Sequence, residues 1–218
     1  MTTSELTELL AVGLRETAWM VFVSTVLTAV GGLLLGILLV LTAPGGMLSA
    51  PAVSSVLGFV VNVARSLPFI ILLVAVIPFT RAVVGTTIGT DAAIVPLTIG
   101  AIPFFARIVE AALREVPPDV VAAATAMGAT RRQIVGKVLL REARPGLVAG
   151  LTITVIALVG YSAMAGVVGG GGLGDLAIRY GYQRFDTQVM VATVVVLIVF
   201  VQLVQMAGDL LVRRLSHR

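Results

Sequence analysis

Residues 122–142 read AAATAMGATRRQIVGKVLLRE. They interrupt a chain that is otherwise apolar enough to live in lipid, and their punctuation decides the fold. Just upstream, Pro117 and Pro118 stop any helix arriving from the N-terminal side, because proline lacks an N–H and clashes with the turn before it. Asp119 stands where an N-cap would. The Ala-rich stretch 120–127 is a strong helix former, and Gly128 is placed to end it in a left-handed conformation. Thr130, with Gln133 three residues on, opens a second helix with a capping-box pattern. That helix is expected to run to Leu140, and Pro145 sits near the start of the next apolar run. The loop 109–145 therefore reads as helix, sharp turn, helix.

Outward from this loop the composition takes over. The chain has 218 residues, 58% hydrophobic and 12% charged, with a mean hydropathy of +1.09. A soluble domain is about 45–50% apolar and about 25% charged. Five runs approach the roughly 20 apolar residues that cross about 30 Å of hydrocarbon. They are 18–42, opened by Trp19, then 52–79, broken by Asn62, Arg65 and Pro68, then 86–108, containing Pro96 and Pro103, and finally 146–168 and 188–212. No strand-period alternation is long enough for a barrel, and lipid leaves the backbone few other ways to be satisfied. The expected fold is an all-α integral membrane protein of one domain, 1–218, with five transmembrane helices. As one straight helix the second run would span about 42 Å, so its first turns are expected to project on the cytoplasmic side.

Orientation follows from Lys and Arg. Ten of the 15 positives lie in two regions: Arg107, Arg114, Arg131, Arg132, Lys137, Arg141 and Arg144 around the loop, and Arg213, Arg214 and Arg218 in the tail. Two spans separate these regions, so one orientation places both in the cytoplasm. Five spans then put the N-terminus outside and the C-terminus in the cytoplasm. Residues 1–17 carry Glu5, Glu8 and Glu16 against Arg15, unlike the basic start of a secretory signal. Membrane topology accounts for the net positive charge, so nucleic acid is not an expected partner; the lipid bilayer is. The chain has no Cys, which excludes disulfides, thiol chemistry and a Cys-built metal site. Its single His, His217, lies in the tail and cannot assemble a metal cluster. No catalytic and no metal residue is assigned.

Each remaining motif has a functional and a plainer reading. GGGGLG at 169–174 fits the dinucleotide pattern, but a membrane span precedes it where a strand is required; a tight turn at the outer mouth accounts for it. No P-loop pattern occurs, so energy must come from another subunit or from a gradient. In GYSAMAG at 160–166, Tyr161, Ser162 and Met164 are candidates to line or gate a pathway, while small-residue helix packing explains the same stretch. Asn62, Arg65 and Ser66 are polar groups in a span and hence pathway candidates, although Arg65 could instead snorkel to the headgroups. Asp209 is expected to pair with Arg213 four residues on. Gln202 and Gln205 are candidate interhelical hydrogen bonders. The small face Ala122, Ala123, Ala124, with Met127, Gly128 and Ala129 at its end, either docks on a partner or rests on its own bundle.

The loop resembles the EAA loop of ABC importer permeases, which seats in a groove of the ATPase subunit. The family pattern is Glu-Ala-Ala, three residues, Gly, nine residues, Ile, one residue, Leu-Pro. Here Ala122-Ala123-Ala124 and Gly128 keep the spacing, and Val138, Leu140 and Arg141 follow in the later positions. Ala122 replaces the Glu, Val138 the Ile and Arg141 the Pro, which removes one carboxylate and keeps the small face. Three further stretches narrow the likeness: ARSLPFIILLVAVIPFTRAVVGTTIG (64–89), AAIVPLTIGAIPFFARIVEAAL (92–113) and LVGYSAMAGVVGGGGLGDL (158–176). They resemble the methionine import permeases of the ABC superfamily, from residue 15 to the C-terminus. The resemblance implies a type I importer permease of a prokaryotic cell membrane that works by alternating access. Its partners would be a second copy of itself, two ATPase subunits and an external substrate-binding protein, with ATP and Mg held by the ATPase and no cofactor on this chain. A permease for another small solute, a gradient-driven secondary transporter and a structural membrane protein are the alternatives.

Overall fold

The computed structural model describes residues 3–216. His217 and Arg218 lie outside the described residues. Among the described residues all regular structure is helical, with no strand. The first helix, α1, runs Thr3–Thr42, well beyond the apolar core expected at 18–42. At 1.5 Å per residue it is about 60 Å long, so its acidic first turns extend past any hydrocarbon layer.

The second apolar run is not one helix. It divides into α2 (Pro51–Ser66), α3 (Phe69–Ala75) and α4 (Ile77–Val84), and α2 and α3 meet at 104°. Pro68 is the cause. It has no N–H to continue the ladder and biases Leu67 to an extended conformation, where Leu67 is found at φ −79°, ψ 127°.

The fifth helix, α5 (Thr90–Arg114), carries Pro96 and Pro103 inside it. It packs along α1 through Gly32 and Gly36. A Cβ on Gly36 would meet Val109 at 2.6 Å, and one on Gly32 would meet Phe105 at 2.8 Å. Small residues of this kind let membrane helices approach where no hydrophobic force draws them together.

The polar loop then forms α6 (Pro118–Ala126), α7 (Arg131–Gln133), a π-helical turn (Ile134–Leu139) and α8 (Leu140–Glu142). Helix α9 (Arg144–Gly166) starts with Pro145 in its first turn. It leads into the glycine loop, α10 (Gly172–Leu176), a second π turn (Ala177–Tyr182) and α11 (Thr187–Ser216). Among the described residues four helices are long and apolar enough to span a membrane, and the bent α2–α3 pair brings the number to five if it is counted as one span.

The bundle has two ends. At one, Ala124 of α6 packs with Leu113, Ile134 and Leu139, and Val40 and Met47 close over them. At the other, the glycine loop meets the turn before α5, where Gly89 N–H donates to the Gly169 carbonyl at 2.9 Å. The connection from α1 to α2 lies at the α6 end, and α4 finishes at the glycine end. The broken run therefore crosses the bundle despite its bend.

Candidate functional site

The α6 loop is built as its residues dictate. Gly128 has φ +79°. Its N–H donates to the Thr125 carbonyl and that of Ala129 to the Ala124 carbonyl, both at 3.0 Å. This paired closure satisfies two end carbonyls and is the Schellman arrangement. The capping box is present: the Thr130 hydroxyl accepts from Gln133 N–H at 3.4 Å, and the Gln133 side-chain oxygen accepts from Thr130 N–H at 2.8 Å. Asp119 does not cap α6. Pro117 holds the N-cap position and no side chain caps that end, because the two prolines already fix the entry.

The candidate docking residues divide by face. Ala124 is buried and Ala129 half-buried against the bundle, whereas Ala122, Ala123, Met127 and Gly128 are exposed. Met127 is 81% exposed. One side of α6 thus rests on its own chain and the other offers a small, flat surface with a flexible thioether at its tip.

The span residues singled out by sequence come together only in part. Arg65 and Tyr161 line one cavity of about 240 Å³ with Ala64, Leu67, Phe69, Leu72, Gly100 and Phe104. The Tyr161 ring stacks on Phe69, with centroids 4.5 Å apart and planes 9° from parallel. Ser162 is buried elsewhere and donates to the Val159 carbonyl at 2.8 Å. Met164 is exposed toward the glycine end and does not line the cavity. Asn62 accepts from Arg107 Nη2 at 2.9 Å, and the Ser66 hydroxyl donates back to the Asn62 carbonyl at 2.8 Å. Phe69, Phe104 and Gly100 were not singled out by sequence; the signal that points to them is Pro68, whose break turns Phe69 toward α9.

A second polar cluster lies below this cavity. Glu110 is buried and pairs with both Arg107 and Arg114, the latter at 2.6 Å. Arg107 also reaches the Gly58 carbonyl at 3.0 Å and so ties α5 to α2. The i,i+3 and i,i+4 spacing of Arg107, Glu110 and Arg114 is the signal that marks it.

At the glycine end, Gly172 N–H donates to the Glu16 carboxylate at 2.7 Å and Leu173 N–H to the Thr17 hydroxyl at 2.9 Å. The GGGGLG stretch is thus a close-packed turn stapled to α1. Trp19 Nε1 donates to Asp91 at 3.2 Å. Asp209 does not pair with Arg213. It accepts from Gln205 at 2.7 Å on the same helix, so Gln205 makes its bond within α11. No group of three or more His, Cys, Asp or Glu that could hold a metal occurs among the described residues.

A family model described as the binding-protein-dependent transport system inner membrane component matches residues 32–218. The chain is similar to the probable D-methionine transport system permease protein MetI of Vibrio cholerae, 54% identical over 211 residues, covering 97% of this chain and 94% of that protein. It is 45% identical to the methionine import system permease protein MetP of Bacillus subtilis, over 83% and 82% of the two chains. A solved chain of the MetNI methionine ABC transporter in inward-facing conformations superposes over 100% of both chains, with TM-score 0.97 and 51% identity. A chain of an amino acid ABC transporter crystallised with histidines shares the fold at TM-score 0.79 and 20% identity. The chain belongs to the family of inner membrane components of binding-protein-dependent transport systems, among its MetI and MetP permeases.

Proposed function

We propose that this chain is the membrane-spanning subunit of an ATP-driven methionine importer of a bacterial inner membrane. The observation that carries the reading is the superposition, over the full length of both chains, on the solved MetNI chain at TM-score 0.97. The chain performs no covalent chemistry. Two copies form the translocation unit, and two separate ATPase subunits bind ATP and Mg²⁺ and seat against the exposed face of α6, through Ala122, Ala123, Met127 and Gly128. An external binding protein delivers substrate at the glycine end, the N-terminus lies outside, and the C-terminus lies in the cytoplasm. Closure of the ATPase pair pushes α6, and the bundle carries that push toward the glycine end through the buried cluster that Ala124 shares with Leu113 and Ile134. Tyr161 and Arg65 lie on the path, and Met164 lies toward its outer end.

The test is uptake by proteoliposomes holding this chain, its ATPase and the binding protein. Methionine should accumulate only with internal ATP, and excess unlabelled methionine should compete better than other amino acids. Uptake driven by an ion gradient, with the ATPase left out, would overturn the reading. Gly128→Pro removes the N–H that closes α6 and demands a φ near −65° where +79° is found. The variant should reach the membrane and lose ATP-driven uptake; normal uptake would count against docking through α6.

A further inference from the structure

The cavity at the α2–α3 break has a chemistry that a lipid-facing span does not need. It lies between the two ends of the bundle. Gly100 and Phe104 stand roughly 15 and 21 Å along α5 from its start, and Tyr161 stands roughly 25 Å along α9 from Arg144, at 1.5 Å per residue. Arg65 stands roughly 21 Å along α2 from Pro51 at 1.5 Å per residue and is exposed at the mouth of the cavity that it lines. Charged side chains within spans mark substrate paths.

Arg65 makes no hydrogen bond or ion pair with the described residues. Asn62, one turn earlier, is taken by Arg107. No carboxylate lines the cavity, so an anion for Arg65 must come from outside its walls. The break also supplies the opposite charge. Residue 68 is proline and has no N–H, so the Ala64 carbonyl has no donor four residues on. Ala64 lines the cavity too, at the C-terminal, negative end of α2. Beyond this pair of handles the wall is aromatic and aliphatic, with the Tyr161 hydroxyl its one further polar side-chain group: Phe69 stacked on Tyr161, with Leu72 and Phe104. A thioether packs well against aromatic rings, with sulfur about 5 Å away. A side chain at Gly100 would press on Leu72 at 3.1 Å and Phe69 at 3.4 Å, so glycine there keeps the space open.

We propose that this cavity is a resting site for an α-amino-acid zwitterion between the two ends of the bundle. The Arg65 guanidinium takes the carboxylate, the end carbonyls of α2 take the ammonium group, and the Phe69–Tyr161 face takes an apolar or thioether side chain. The inference rests on the reading of the chain as a methionine permease and adds where in the chain the substrate halts.

The probe is photo-methionine, a diazirine analogue, irradiated with the intact, nucleotide-free permease–ATPase complex in the absence of binding protein. Labelling should fall on peptides holding Phe69, Phe104 or Tyr161. Excess methionine should displace it, and 3-(methylthio)propylamine, which lacks the carboxylate, should not. Arg65→Gln should lower that labelling about tenfold, the loss expected for one charge-assisted contact, while Arg65→Lys retains most of it. Labelling confined to other peptides or to the ATPase, equal labelling of Arg65→Gln, or displacement by the amine would overturn the site. Should the Gln variant fail to assemble, displacement on the wild-type complex decides alone. Wild-type proteoliposomes that import methionine without labelling this cavity would sink the site and leave the importer standing; wild-type proteoliposomes that import none would sink the importer reading itself.

Discussion

Gly128 and Gly174 look alike in the sequence and do opposite work. At Gly128 a Cβ would meet nothing within 4 Å, but φ is +79°. Gly128→Ala therefore carries only the left-handed penalty, about 1–2 kcal/mol. At Gly174 a Cβ would fall 2.4 Å from the Ala163 Cα and 2.5 Å from its carbonyl oxygen. Both are backbone atoms and cannot swing aside. Gly174→Ala must part α10 from α9, which costs on the order of 3 kcal/mol or more. Melting of the detergent-solubilised protein should show Gly174→Ala displaced by several degrees more than Gly128→Ala; equal shifts would mean the two chains of backbone are not in contact. Gly128 was legible because helix ends have a local grammar. The partner of Gly174 was not, because Ala163 is joined to it by tertiary approach alone. The same divide separates Thr130, whose capping partner lies three residues on, from Asn62, whose partner Arg107 lies on another helix.

Elements were legible where their stop signals are local. The turn at Gly128, the capping box and the start of α9 at Pro145 are all found. The π turn at Ile134–Leu139 has no such signal, since one extra residue per turn leaves no mark in hydropathy. The second run was misjudged for a related reason: a count of apolar residues measures length and says nothing of direction. Pro68 carried the information, and the 104° bend is its consequence. Two variants separate the roles of neighbouring elements. Thr130→Ala removes the cap of α7, about 1 kcal/mol, and should speed amide hydrogen exchange across 131–142 about fivefold with little effect on global melting. Glu110→Ala strands Arg107, of which 24% of the side chain is exposed, beside α2. Breaking a buried pair costs about 3–5 kcal/mol, lessened here because Arg114 reaches solvent. That variant should lower global melting and loosen α2 from α5, seen as faster exchange at 51–66.

At the scale of the molecule, charge and topology must agree. Arg141 and Arg144, before and at the start of α9, border one concavity with Arg214 of α11, so the two basic regions of the sequence share one end of the bundle. In the proposed orientation that end faces the cytoplasm, since basic loops resist export. The N-terminus is the sharper case. Between it and α6 lie α1, the broken run α2–α4, and α5. If the broken run crosses, three crossings put the N-terminus opposite α6. If α2 and α3 only dip into the bilayer and return, two crossings put both on one side. The contact of Gly89 with Gly169 at the end of the bundle far from α6 favours crossing. The chain lacks Cys, so single replacements report without background. A membrane-impermeant maleimide applied to intact cells, or to spheroplasts where an outer membrane intervenes, should label Thr7→Cys, which is exposed near the start of α1. Thr125→Cys on α6 and Ser216→Cys at the end of α11 should react only after the membrane is opened. Labelling of Thr7→Cys and Thr125→Cys from the same side would reduce the five crossings to four and turn the α2–α3 bend from a broken span into a re-entrant loop.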